Sequence, residues 1–135
     1  MKQLTQQNIK SFLEKFDSFN DCLFLKVEII YEMGPPSRSL SVWIYARDYT
    51  EKNDDLWVRV HLLIKRVGDY CISDRARETN IVLNNGIHIL WSGSLVGLDF
   101  GQFVDQPESM EELQKSSVFV IGESLEWQIE QHGKN

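Results

Sequence analysis

The chain has little from which a covalent or metal framework could be built, since only two of its 135 residues are cysteines. Cys22 and Cys71 lie in separate apolar segments, without zinc-site spacing or the flanking residues of a thiol nucleophile. We expect both to be reduced thiols that pack as small hydrophobic residues. The three histidines form no H-x-H or HExxH pattern, and no serine lies in G-x-S-x-G. The sequence therefore predicts no catalytic residue, no metal site and no cofactor.

Long apolar runs and targeting signals are also missing. No segment approaches the roughly 18 apolar residues that a membrane-spanning helix needs, and no apolar region follows Lys2, as it would in a signal peptide. We therefore expect a cytoplasmic protein without a membrane partner. The composition, with 42% hydrophobic and 25% charged residues, is ordinary for a globular protein. No repeat or linker divides the chain, so we expect a single domain over residues 1–135.

Basic residues are scarce in the second half of the chain. Residues 1–78 carry twelve acidic and twelve basic residues, whereas residues 79–135 carry eight acidic residues and only Lys115 and Lys134. The net charge of −6 therefore comes entirely from the second half. An acidic side repels nucleic acid and attracts cationic partners. Because no basic stripe accompanies the aromatic residues, we expect no nucleic-acid binding.

Hydrophobic periodicity indicates one amphipathic helix followed by strands. Ile9, Phe12, Leu13 and Phe16 follow the helical i, i+3, i+4, i+7 spacing, which predicts a helix over residues 5–16 with Thr5 as its N-cap. From Leu23 onward apolar residues alternate, which is typical of strands. A second, short helix is expected near residues 108–114.

The alternating segments predict a mainly β fold, bordering on α+β, with about seven antiparallel strands in a sandwich or a strongly bent sheet. The last strand, roughly residues 117–129, contains Gly122, which predicts a bulge or bend. The expected core consists of residues on the apolar faces of these elements: Phe12, Leu25, Val27, Ile29, Val42, Ile44, Val58, Val60, Leu62, Ile89 and Leu98.

The order of several short motifs resembles a group of bacterial proteins. Phe19-Asn20-Asp21-Cys22 leads into a long strand, Arg47-Asp48 ends the next, and Leu83-Asn84-Asn85-Gly86-Ile87 precedes a Ser92-Gly93 turn and Leu98-Asp99-Phe100. This pattern, over roughly residues 16–129, resembles small bacterial β-rich proteins with an F-[HN]-D-[AS]-like start, some of which are grouped with immunity proteins of polymorphic toxin systems. Cys22 stands where Ala or Ser is usual. The resemblance implies no enzymatic activity and supplies no functional residues.

Two surfaces are predicted to bind a partner. Five acidic residues fall within fourteen positions that contain no Lys or Arg: Asp99, Asp105, Glu108, Glu111 and Glu112. We call these the acidic segment, and it would suit a basic toxin domain. The second surface is a sheet face that carries Trp43, Tyr45 and Trp57.

Three functions are consistent with these features. The first is a non-enzymatic bacterial protein-binding domain, an immunity protein that neutralises a cognate toxin. The second is a structural or regulatory module that forms a homodimer through the Trp43, Tyr45 and Trp57 face. The third is a small-ligand binder or enzyme whose site is assembled only in three dimensions, around His61, His88 or Asp21.

Overall fold

The structure of the protein is a computed structural model that describes residues 1–32, 37–50, 56–73 and 82–130. These residues form ten strands, two short α-helices and one 3-10 turn at Asp17–Phe19. In chain order they are β1 (Lys2–Leu4), α1 (Ile9–Lys15), β2 (Cys22–Glu32), β3 (Ser37–Arg47), β4 (Trp57–Lys65), β5 (Asp69–Ile72), β6 (Val82–Leu83), β7 (Ile87–Ser92), β8 (Leu95–Phe100), α2 (Met110–Leu113), β9 (Val118–Gly122) and β10 (Ser124–Glu130).

The strands form two antiparallel sheets. The larger sheet has the order β1-β10-β4-β3-β2-β6, and the smaller has the order β5-β9-β8-β7. The predicted mainly β fold is therefore confirmed. The ten strands exceed the expected seven partly because β1 and β6 are short pieces of three and two residues, and partly because the predicted last strand divides into β9 and β10.

The division occurs at Gly122, where the chain passes from one sheet to the other. β9 pairs with β5 in the smaller sheet, and β10 pairs with β4 in the larger. A Cβ atom on Gly122 would lie 2.5 Å from Cγ2 of Ile64 and 2.7 Å from the carbonyl oxygen of Lys65. The chain bends at Gly122 to form a corner of the sandwich. Ile64 and Lys65 come so close to this corner that only glycine fits.

Both sheets contribute to one hydrophobic core. The buried residues of the larger sheet include Leu40, Val42, Ile44, Val60, Leu62, Ile64 and Leu125, and those of the smaller sheet include Ile89, Val96, Leu98, Val118 and Val120. Most of the predicted core is confirmed, with Val27, Ile29 and Val58 only partly buried against it. The alternation in β3 and β4 thus identifies their inner faces correctly.

Leu25 is the exception, since 46% of its surface is exposed. The register between β2 and β3 shifts between Phe24 and Lys26, so a β-bulge lies at this position. The bulge changes which face alternate residues occupy. Phe24 therefore packs into the core, where its ring lies 5.5 Å from that of Phe100, and the prediction that Leu25 is a core residue was wrong.

The N-terminal helix is shorter than predicted. Thr5 caps the turn that precedes the helix, because its hydroxyl accepts a bond from Gln7 N–H at 3.3 Å and its carbonyl oxygen accepts bonds from the N–H groups of Asn8 and Ile9. Asn8 is the N-cap residue, and its side-chain oxygen accepts a bond from Thr5 N–H at 2.7 Å. Three rings that follow (Phe12, Phe16 and Phe19) pack near Trp127 of β10. None of the helices in the described ranges is long and apolar enough to cross a membrane.

An ion pair joins the end of α1 to the end of β3. Nζ of Lys15 lies 2.8 Å from Oδ2 of Asp48, whose side chain is only 1% exposed. Oδ1 of Asp48 accepts bonds from the hydroxyl and the N–H group of Thr50, at 2.7 and 3.0 Å. Burial raises the pKa of Asp48, but the bonds from Lys15 and Thr50 outweigh burial and hold that pKa below its ordinary value.

We predict that Asp48→Asn destabilises the protein by about 1.5–3 kcal/mol at pH 7, because it weakens several hydrogen bonds to a buried charge. A lowered pKa in the folded state stabilises the fold above the ordinary carboxyl pKa and loses that contribution as the pH falls through the folded value. Wild type should therefore lose stability below about pH 4 more steeply than the variant. Urea unfolding at several pH values measures the free energy of unfolding of both proteins. If that free energy fell equally steeply for the two proteins below about pH 4, the prediction would be wrong.

Candidate partner-binding faces

The outward face of the larger sheet brings together the predicted aromatic residues. β3 and β4 pair with Trp43 opposite His61, Tyr45 opposite Arg59, and Arg47 opposite Trp57. Because Val42, Ile44, Val60 and Leu62 occupy the core side, these alternate residues all face outward. Trp43, Tyr45 and Trp57 therefore share one face, as the sequence predicted, and we call it the aromatic face.

Trp43 is the fixed part of the aromatic face. Its ring stacks on that of His61 with centroids 4.3 Å apart, and Nζ of Lys26 lies 4.7 Å from its centre. Its Nε1–H donates to the carboxylate of Glu130, with distances of 2.8 and 3.1 Å to the two oxygens. Only 8% of Trp43 is exposed. We therefore interpret it as a support for its neighbours, with little surface left for a partner.

His61 is held in its neutral form beside Trp43. Both ring nitrogens are shielded from solvent and make no hydrogen bond. Burial lowers the pKa of His61, and this effect outweighs the opposite influence of Glu130 and Glu28. Nδ1 lies 3.7 Å from the Glu130 carboxylate, but a neutral ring forms no ion pair with it. His61 therefore serves as a stacking surface at neutral pH.

Tyr45 and Trp57 form the accessible part of the aromatic face. Their rings stack with centroids 5.3 Å apart and an interplanar angle of 24°. Trp57 is 40% exposed, and Tyr45 is half-buried. Arg47 lies beside them, with its guanidinium carbon 4.9 Å from the ring centre of Tyr49. An exposed stack of two aromatic side chains flanked by arginine is suited to contact with another molecule.

The acidic segment is divided by the fold. Asp99 is completely buried, and its carboxylate accepts a bond from the Ser116 hydroxyl at 2.6 Å, lies 3.1 Å from Nδ1 of His88, and accepts a bond from Phe103 N–H at 3.3 Å. Because its oxygens are occupied inside the protein, Asp99 is not presented at the surface, contrary to the prediction. It anchors the segment that follows β8 to the sheet.

The other four acidic residues lie in and before α2. Asp105, Glu108 and Glu111 are exposed, and Glu112 is half-buried. Glu112 is partly committed to the helix start, because its N–H donates to the Ser109 hydroxyl at 3.1 Å and its carboxylate accepts from Glu108 N–H at 3.2 Å. The predicted helix near 108–114 is thus confirmed as Met110–Leu113 with Ser109 as its cap.

The two candidate surfaces lie on opposite sides of the molecule. α2 packs its Leu113 and Met110 with Phe119 and Ile121, outside the smaller sheet, whereas the aromatic face lies outside the larger sheet. The shared core separates them. A small rigid partner therefore contacts one surface or the other.

Sequence reasoning missed several members of the aromatic face, most importantly Arg47, Arg59 and Glu130. Alternation in β3 puts Arg47 on the same strand face as Tyr45, and alternation in β4 puts Arg59 on the same face as Trp57. The sequence pattern was therefore sufficient to predict that both arginines belong to the aromatic face. No sequence signal indicated Glu130, because it reaches Trp43 from a strand 87 residues away.

Ser116 and His88, which lie on either side of the buried Asp99, do not form a nucleophile–base pair. Ser116 and His88 both contact Asp99, and the Ser116 hydroxyl donates to the carboxylate instead of to the imidazole. Burial raises the pKa of the Cys22 thiol to about 11, which disfavours the reactive thiolate. Within the described residues, no group of three or more His, Cys, Asp or Glu side chains could hold a metal ion.

Comparison with protein families, with characterised proteins and with solved structures finds no match to this chain.

Proposed function

We propose that this chain is a non-enzymatic protein-binding domain and that the aromatic face is its contact surface. The observation that carries the proposal is the Tyr45–Trp57 stack, which lies on the outward face of the larger sheet with Trp57 40% exposed. Trp, Tyr and Arg are the residues that most often dominate binding energy at protein interfaces. The fixed Trp43–Glu130 pair lies beside the stack on the same sheet face.

The kind of partner we propose is a bacterial toxin domain, which would make the chain an immunity protein. The motif resemblance described above supports this role, as does the acidic character of the second half of the chain. A cytoplasmic location belongs to the same proposal, and the free thiols of Cys22 and Cys71 are consistent with it.

Two other contacts compete with this proposal. A second copy of the chain could cover the aromatic face, which would make the protein a homodimeric module. A basic toxin could instead dock on the exposed acids Asp105, Glu108 and Glu111, aided by Glu112. Variants separate the acidic segment from the aromatic face, whereas the homodimer covers the same aromatic face and is distinguished by its sedimentation.

We predict that Tyr45→Ala/Trp57→Ala abolishes capture of the partner in a pull-down from the native host, because truncating a pair of central aromatic residues commonly costs more than about 2 kcal/mol each. Tyr31→Ala, on a residue that is 68% exposed elsewhere on the larger sheet, is the control and should retain capture. Circular dichroism should show that both variants keep the fold.

Other results would overturn the role of the aromatic face. Capture that survives Tyr45→Ala/Trp57→Ala but fails in Glu108→Gln/Glu111→Gln/Glu112→Gln would place the partner on the acidic segment. In that case association should also slow with added salt, which screens charge over about 8–10 Å. Sedimentation of wild type as a dimer that the aromatic variant dissociates would show that the partner is a second copy.

A further inference from the structure

We propose that a cleft between α1 and β1 binds a small organic carboxylate with an apolar body. The cleft has a volume of about 400 Å³, which lies within the range of about 300–1,000 Å³ that is typical of small-molecule sites. We call it the helix–edge cleft. The lining residues that carry the argument are Lys2, Asn8, Ser11, Phe12, Lys15 and Trp127. The proposal goes beyond the protein-binding role and does not depend on it.

The strand register and α1 form the walls of the cleft. β1 is the edge strand of the larger sheet, and its pairing with β10 puts Lys2 opposite Trp127 and Leu4 opposite Leu125. Because Leu4 and Leu125 are buried, alternation puts Lys2 and Trp127 on the core side of the sheet as well. α1 lies over this end of the sheet, with the ring of Phe12 4.9 Å from that of Trp127.

Asn8 holds β1 to the start of α1. Its Nδ2–H donates to the carbonyl oxygen of Gln3 at 2.9 Å, and its Oδ1 accepts a bond from Thr5 N–H at 2.7 Å. One side chain therefore bonds to the strand and to the turn that follows it. The separation of helix and strand is fixed before a ligand enters, which lowers the entropic cost of binding.

Two ammonium groups line the cleft, and no carboxylate of a described residue lines it. Nζ of Lys15 lies 2.8 Å from the carboxylate of Asp48, which is only 1% exposed, and donates to the Thr50 hydroxyl at 2.8 Å. An ammonium group has a further N–H donor beyond these two. Lys2 forms no ion pair with a described residue, and its Nζ lies 5.3 Å from the ring centre of Trp127. The lining is therefore complementary to an anion, although the whole chain carries a charge of −6.

The charge and the apolar lining together define the ligand. Two ammonium groups and the Asp48 carboxylate behind Lys15 leave one net positive charge, which matches one carboxylate better than a polyanion. The apolar part of the lining comes from Leu4, Phe12 and Trp127. An inorganic anion would leave that surface in contact with water, whereas a ring attached to the carboxylate would cover it and pack against the two aromatic side chains.

The test is an NMR titration of the ¹⁵N-labelled full chain with phenylacetate. We expect the indole N–H signal of Trp127 to move, with a dissociation constant in the millimolar range because the probe is small. The indole signal of Trp57, which is 40% exposed on the aromatic face, should stay in place. Phenylacetamide has the same shape without the charge and should bind at least about fivefold more weakly.

Variants of the lining should change the affinity for phenylacetate. Lys2→Gln removes an ammonium group and should weaken binding by about three- to fivefold. Lys10→Gln is the matched control, since Lys10 is an exposed lysine of α1 outside the lining, and should change binding by less than about 1.5-fold. Ser11→Phe brings a ring to the cleft from an exposed helix position and should abolish binding. Circular dichroism should show that all three variants keep the fold.

Several results would overturn the inference. These are no movement of the Trp127 signal, equal binding of phenylacetamide, or equal binding of acetate, which would show an anion site that does not use the apolar lining. Movement of the Trp57 signal together with that of Trp127 would show unspecific contact with aromatic side chains. Binding of a Gly-Gly-Phe peptide with a free carboxylate more than about tenfold tighter than phenylacetate would assign the cleft to the end of a protein chain.

Two further variants separate the cleft from its surroundings. Glu51 follows Thr50 in the sequence and lies outside the described residues. If Glu51→Gln creates binding that wild type lacks, the chain's own carboxylate occupies the cleft and the inference is wrong. Tyr45→Ala/Trp57→Ala changes the opposite face of the larger sheet and should leave phenylacetate binding unchanged. Failure of the cleft and failure of the proposed function are thus measured independently.

Discussion

Val60→Asp is expected to prevent folding altogether. Val60 is completely buried and lies in β4 between Ile44 of β3 and Ile129 of β10. A carboxylate at this position would have no partner, and burying an unpaired charge costs several kcal/mol or more. Because a domain of this size is stable by only about 5–15 kcal/mol in total, the substitution removes most or all of that margin.

Thermal unfolding followed by circular dichroism measures the effect. Val60→Asp should be insoluble or show no cooperative transition. Val104→Asp is the matched control, since Val104 is 79% exposed and should tolerate the same change with little loss of stability. A soluble Val60→Asp protein that melts cooperatively would show that the inner and outer faces of β4 are reversed.

The sequence could predict this buried face because β3 and β4 alternate without interruption. It could not predict the inner face of β2, where Leu23, Phe24 and Leu25 are consecutive apolar residues. Alternation cannot locate a bulge within an unbroken apolar run, and the bulge decides that Phe24 points inward and Leu25 outward. The outward position of Leu25 therefore depends on how β2 pairs with β3, and no feature of the local sequence predicts it.

The candidate surfaces show the same division between local and distant information. The aromatic face was predictable because its residues follow the alternation of two neighbouring strands. The burial of Asp99 was not, because its partners His88 and Ser116 lie 11 and 17 residues away, and an acidic residue without a visible partner is expected at the surface. Alternation does place Asp99 on the side of β8 opposite to Leu98 and Phe100, but it does not show that this side is covered.

The short motifs behind the family resemblance acquire a structural role. The 3-10 turn at Asp17–Phe19 has positive φ values at all three residues, and Asp21 N–H donates to the carbonyl oxygen of Leu83 at 2.8 Å. The same carbonyl accepts a bond from Gly86 N–H at 3.0 Å. The turn before β2 and the turn before β7 are thus packed against each other, although 60 or more residues separate them in sequence.

Gly86→Ala is expected to destabilise this junction by more than about 3 kcal/mol. Gly86 has a φ of +67°, and a Cβ atom there would lie 2.2 Å from the carbonyl oxygen of Ser18. The left-handed conformation alone costs a non-glycine residue about 1–2 kcal/mol, and forcing backbone atoms apart adds a cost of similar or larger size. The contact cannot be relieved by a side-chain rotation, because the atom that is struck belongs to the backbone.

Two other glycines separate the conformational cost from the steric one. Gly93 has a φ of +58°, but a Cβ atom added there would have no neighbour within 4 Å, and Gly68 has neither a positive φ nor a close neighbour. Urea unfolding should therefore show that Gly93→Ala lowers the free energy of unfolding by about 1–2 kcal/mol. Gly68→Ala should raise it by up to about 1 kcal/mol. A loss for Gly86→Ala no larger than that for Gly93→Ala would mean that the two turns are not in contact. The conclusion that the Asn84-Asn85-Gly86 motif packs on the 3-10 turn would then be wrong.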